Sequence, residues 1–100
     1  MPVENDALSL LGLVKRSGGL AVGSKVLETV RNGKAEFVVI AGDASERTRK
    51  VLTDKCTFYQ VPFGFVEHME ALSRAVGKSH IAAVAVTDNG FAKKISDFLK

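Results

Sequence analysis

Few residues in this chain have the type and spacing for bond-making chemistry. Cys56 has no second cysteine to pair with. It falls on the inner stripe of a helical pattern, where a thiol behaves as a small core hydrophobe. His68 and His80 lie in loops or at helix ends, outside any metal-ligand spacing, and read as surface or capping residues. Asp43 and Asp88 each follow an apolar run, a place where α/β proteins bind ligands. Each also stands where a helix needs an N-cap, the commoner use of such a carboxylate. The sequence has no Walker-type phosphate loop and no G-x-G-x-x-G fingerprint. Nothing assembles a nucleophile, a base and an oxyanion site. The expectation is a non-enzyme that needs no cofactor and no metal.

Two other segments carry the chemistry of non-covalent recognition. Gly23-Ser24-Lys25 offers backbone amides, a hydroxyl and an ammonium at the start of a helix. That end of a helix favours a phosphate or the edge of a base. Gly77-Lys78-Ser79-His80-Ile81 reads as a loop with a cation, a hydroxyl, an imidazole and an exposed aliphatic side chain. Such a mixture can touch phosphates and pack on an unstacked base. Gly23, Ser24, Lys25, Lys78, Ser79, His80 and Ile81 are therefore the candidate binding residues. The bland alternatives are an ordinary Gly-Ser helix start and an ordinary polar loop. Lys15-Arg16 and the set Arg47, Arg49, Lys50 and Lys55 read as solvated helix faces.

The elements that must position these segments follow from hydrophobic periodicity. The 100 residues are 46% hydrophobic and carry a formal charge of +3. That composition suits one globular domain over residues 1–100, and the charge permits a nucleic-acid partner without requiring one. A lone cysteine, an acidic start from Met1 to Asp6 and no bilayer-length apolar run lead to the expectation of a cytoplasmic protein with no membrane association. A first helix is expected after Asn5 or Asp6, with Leu8, Leu11 and Val14 inside and Ser17-Gly18-Gly19 as its stop. Leu20 to Val22 is a short strand, and the second helix buries Val26, Leu27 and Val30 before Gly33. Phe37 to Ile40 is apolar throughout, as a strand covered on both faces should be. The third helix has Val51, Leu52, Cys56 and Tyr59 inside and its basic residues outside. Val61 to Val66 is a strand with Pro62 at its start. Met69, Leu72 and Val76 mark a short helix stopped by Gly77. Ile81 to Val86 is the last strand, followed by a helix with Phe91, Ile95, Phe98 and Leu99 inside. The alternation implies a three-layer α/β/α sandwich with a small mixed sheet.

Several motifs resemble one family in their order along the chain. Gly33-Lys34-Ala35-Glu36-Phe37-Val38-Val39-Ile40-Ala41 looks like the helix-end-to-strand passage of the ribosomal proteins seven-Ae and thirty-e. Val61-Pro62-Phe63 resembles their approach to the next strand. Leu72-Ser73-Arg74-Ala75-Val76-Gly77 resembles their leucine-glycine-x-alanine-x-glycine helix, with Ser73 in place of glycine. The stretches Leu10 to Gly18, Asp54 to Pro62 and Val86 to Lys94 look like a bacterial branch of the family, the YlxQ type. The resemblance covers nearly the whole chain.

It implies an α/β/α sandwich and binding of kink-turn RNA through the start of the second helix and the loop before the last strand. Those are the two segments singled out above on chemistry. The chain departs from the family in both segments, and the loop Lys78 to Ile81 looks shorter and more polar than the family's aliphatic version. Strong kink-turn binders carry glycine-x-asparagine-glutamate-x-x-lysine, whereas here the stretch is Gly23-Ser24-Lys25-Val26-Leu27-Glu28. The favoured expectation is a monomeric binder of bent, structured RNA, with ribosomal RNA as one candidate partner. The alternatives are a protein-interaction module and an appended substrate-binding domain of an RNA-modifying enzyme.

Overall fold

The apolar runs around residues 37–41 and 83–86 lie side by side at the centre of a sheet, so neither has a polar face. The computed structural model describes residues 3–99. The elements in chain order are α1 (Val3–Ser17), β1 (Leu20–Val22), α2 (Lys25–Arg31), β2 (Phe37–Ala41) and α3 (Glu46–Phe58). They continue with β3 (Phe63–Val66), α4 (Met69–Ala75), β4 (Ala83–Val86) and α5 (Asn89–Leu99). The strand order is β1-β4-β2-β3. β4 runs antiparallel to both of its neighbours, with Val22 opposite Val84 and Val39 opposite Val84. β3 runs parallel to β2, with Val38 opposite Phe63. The sheet is therefore mixed, and α3 is the crossover that a parallel pair needs.

The pleat divides β2 between two cores. Phe37, Val39 and Ala41 join Leu11, Val14, Leu72, Val84 and Ile95 beneath α1, α4 and α5. Val38 and Ile40 join Val26, Val30, Leu52, Cys56 and Ala85 beneath α2 and α3. The architecture is the three-layer α/β/α sandwich that the alternation implies. No helix among the described residues is long and apolar enough to cross a membrane.

Several expectations change in detail. α1 begins at Val3 rather than after Asn5 or Asp6, which places Glu4 and Asp6 in its first turn. Carboxylates there are stabilised by the helix dipole. Val51 is not inside α3: it is 38% exposed. Arg49 is not outside: it is half-buried, and its Nε donates to the Ala44 carbonyl at 3.0 Å. The last two strands are shorter than expected. Phe65 is exposed because β3 is an edge strand.

Both aspartates cap helices, one of them at a distance. Asp88 Oδ1 accepts from the Phe91 amide at 2.9 Å, at the start of α5. Ser45 takes the N-cap of α3 by accepting from the Thr48 amide at 3.1 Å. Asp43 is thereby left for α4, and its Oδ1 accepts from the Met69 amide at 2.7 Å.

Candidate nucleic-acid interface

The turn from β1 into α2 is made by Gly23, which has φ +62°, a conformation that costs little only without a Cβ. Ser24 follows as the N-cap of α2, and its side chain makes no capping hydrogen bond, so its hydroxyl is available to a ligand. α2 is only seven residues long. It lies beside α3 over one face of the sheet, with Val26 and Val30 buried beneath it. Lys25 is exposed.

The loop before β4 is held at both ends. Gly77, at φ +68°, turns the chain out of α4. At the other end the Ile81 amide donates to Ser73 Oγ at 2.8 Å, and Ser73 is the buried polar residue of the chain among those described. Between these anchors Lys78, Ser79 and His80 are exposed, and His80 takes φ +55°. A non-glycine residue in that region is uncommon, and the two anchors over-determine it.

Sheet topology brings the two segments together. β1 and β4 are antiparallel neighbours, so the end of β1 lies beside the start of β4, with Val22 opposite Val84. The turn after one strand and the loop before the other therefore share an edge of the molecule. They meet at a groove of about 320 Å³ between α2 and α3. Val26, Leu52 and Ala83 form its buried floor, and Leu27, Val51 and Ala82 its half-open walls. Gly23, Arg47, Thr48 and His80 complete the lining.

Of the expected residues, Gly23 and His80 line this groove. Lys78 and Ser79 line a second, more polar depression of about 530 Å³ together with His80, Asp43, Glu70, Ser73 and Arg74. Ser24 and Lys25 are exposed but line neither depression. The exposed aliphatic role expected of Ile81 is corrected. Ile81 is 6% exposed and belongs to the core under α1, α4 and α5, so it presents no surface to a base. Its neighbour Ala82 faces the groove instead.

Periodicity assigns Arg47 to a solvated face and Leu27 and Val51 to the core, and the groove uses all three together with Thr48. The one sequence signal was the i, i+4 spacing of Arg47 and Val51, which puts a cation and an apolar side chain on one helix face.

The electrostatics single out some cations. Lys50 lies 3.3 Å from Asp54, and Arg74 lies 3.3 Å from Glu70. Among the described residues, Lys25, Arg47 and Lys78 make no ion pair. His68 has two carboxylates nearby, Asp43 at 3.5 Å and Glu67 at 3.7 Å. No metal-holding group of three or more such side chains is found among the described residues. Burial pushes the Cys56 thiol up to about 11, which keeps it protonated and un-nucleophilic at neutral pH.

The geometry has counterparts in known proteins. Residues 5–96 match the model of the ribosomal protein L7Ae/L30e/S12e/Gadd45 family. The RNA-binding protein YlxQ of Bacillus subtilis is 43% identical over 91 residues, covering 90% of this chain and 91% of that protein. The RNA-binding protein YlxQ of Enterococcus faecium is 36% identical over 98 residues, covering 97% and 94%. Among solved structures, a Bacillus halodurans protein of unknown function superposes with a TM-score of 0.86 at 39% identity, covering 92% of this chain and 94% of that one. The Giardia lamblia 15.5kD RNA binding protein has the same fold, with a TM-score of 0.79 at 22% identity over 98% of this chain and 85% of that one. The two segments that meet at the groove, and the sandwich that holds them, are thus those of a protein that belongs to the ribosomal protein L7Ae/L30e/S12e/Gadd45 family.

Proposed function

We propose that this chain binds sharply bent, internally looped RNA of the kink-turn type, non-covalently and without catalysis, in the cytoplasm. One observation carries the reading: an apolar groove lies where Gly23 and His80 meet, and its lining includes Arg47, which makes no ion pair among the described residues. An extruded base has an apolar face and a polar edge. Leu27, Val51 and Ala82 suit the face, while Thr48 and His80 suit the edge. Lys25, at the start of α2, and Lys78, in the loop that carries His80, are exposed cations suited to the phosphates on either side of the bend. The asparagine-glutamate pair is absent here, and the groove offers apolar packing with walls from α3 as well as α2. The names of the two curated relatives support RNA as the partner, and ribosomal RNA is a natural source of such bends.

The test compares a bent, internally looped RNA with a plain duplex of equal length in a gel shift at fixed salt. A plain A-form duplex offers mostly backbone and 2′-hydroxyls, with its major-groove base edges out of reach. The bent RNA is expected to bind more tightly. Equal affinity for the two would remove the case for bend recognition.

A further inference from the structure

Phe58 is 76% exposed, more than any other large hydrophobic side chain among those described. It ends α3 and stands edge-to-face with Tyr59, the ring centroids 4.9 Å apart and the planes at 80°, which leaves most of the ring open. It lines a depression of about 380 Å³ with Val51, Asp54 and Lys55. Val51 also walls the α2/α3 groove, so the two depressions abut along one helix. Val51, Lys55 and Phe58 are spaced i, i+4 and i+7, which puts them on one face. Phe58 lies about 10 Å along the helix axis from Val51, at the helical rise per residue.

We propose that Phe58 is a stacking platform for an unpaired base of the same RNA, which extends the bound strand beyond the groove and along α3. This rests on the RNA reading above. Charge favours a nucleic-acid strand over an apolar protein surface here. Arg47 and Lys55 make no ion pair among the described residues, and Asp54 is already met by Lys50 at 3.3 Å. A strand would place its phosphates against the cations and a base on the ring, the combination that single-strand binders use. An apolar protein partner would instead have to desolvate Lys50, Asp54 and Lys55 around two hydrophobic side chains, whereas protein interfaces deplete lysine and aspartate at their centres.

The experiment uses two RNAs with the same bent core, one ending in a short unpaired adenosine tail and one without it. For the parent protein the tail is expected to tighten binding by about tenfold, the scale of one base–aromatic stack. Phe58→Leu keeps apolar bulk but has no ring face, so it should lose that gain while binding the tailless RNA as the parent does. Phe58→Trp should keep the gain. Phe58 is exposed, so folding should be unaffected, and a thermal melt of each variant checks that. A tail that adds nothing in the parent, or a gain that survives in Phe58→Leu, overturns the proposal and leaves the ring to a protein partner. Failure of the RNA reading looks different: the parent then binds the tailless bent RNA no better than plain duplex. In that case a free oligoadenosine strand decides the role of Phe58. A shift of its ring resonances in the parent, with binding lost in Phe58→Leu, upholds the platform, and no shift overturns it.

Discussion

Arg47 and Lys50 are both cations of α3, yet their surroundings give them different expected roles. Arg47 lines the groove beside His80 and Thr48 with no carboxylate partner among the described residues. Lys50 is held by Asp54 one turn further on. Arg47→Ala is expected to weaken binding of bent RNA and to make the log–log salt slope shallower by about 0.7–0.9, one phosphate contact's share. Lys50→Ala should leave both near the parent values. A salt titration of the three proteins measures this, and equal losses in both variants would mean that net charge rather than the groove governs binding. Arg49 is unsuitable as a control, because its Nε holds the Ala44 carbonyl and its loss would disturb the fold. At this scale the sequence showed which residues had recognition chemistry at Gly23 and His80. It did not show that Arg47 was among them, since a cation on a helix face looks the same whether it borders a groove or open water.

Ser73 links two elements. It stands where the family's helix carries glycine, and its hydroxyl accepts the Ile81 amide across the loop that displays His80. Ser73→Ala leaves a buried amide without its partner, at a cost of about 1–3 kcal/mol. The expected outcome is a lower denaturation midpoint, faster amide exchange at Ile81 and weaker RNA binding as His80 loses its fixed left-handed backbone. Unchanged exchange at Ile81 would show that the loop is held by other means. Element types were legible from periodicity almost throughout, since a run such as Phe37 to Ala41 has no polar face in either period. The ends were less so. Ile81 looked like an exposed loop residue because its neighbours Lys78, Ser79 and His80 are polar. Its burial comes from the core beneath α1, α4 and α5 and from a serine eight positions earlier.

Among the described residues, the cations near the proposed site that make no ion pair are few. Lys25, Arg47 and Lys78 stand around one end of the sandwich, whereas Lys50 and Arg74 are paired. About three or four phosphates can be neutralised there, so the log–log salt slope of binding is expected near −2 to −4. A salt titration of the parent protein giving a much steeper slope would mean that the wider basic surface of α3 dominates.

The chain by itself determined the layers. Its apolar runs need cover on both faces, and its amphipathic helices need a sheet to bury against, so an α/β/α sandwich satisfies both. It also determined that Gly23 could turn freely and that the segment after Gly77 would be polar. Which of these residues become neighbours was decided only by the tertiary structure. Gly23 and His80 are distant in sequence, and it is the antiparallel pairing of β1 with β4 that sets them at one edge. The groove between them is a property of the packing of α2 against α3, because its walls are side chains that periodicity alone assigns to core or to solvent.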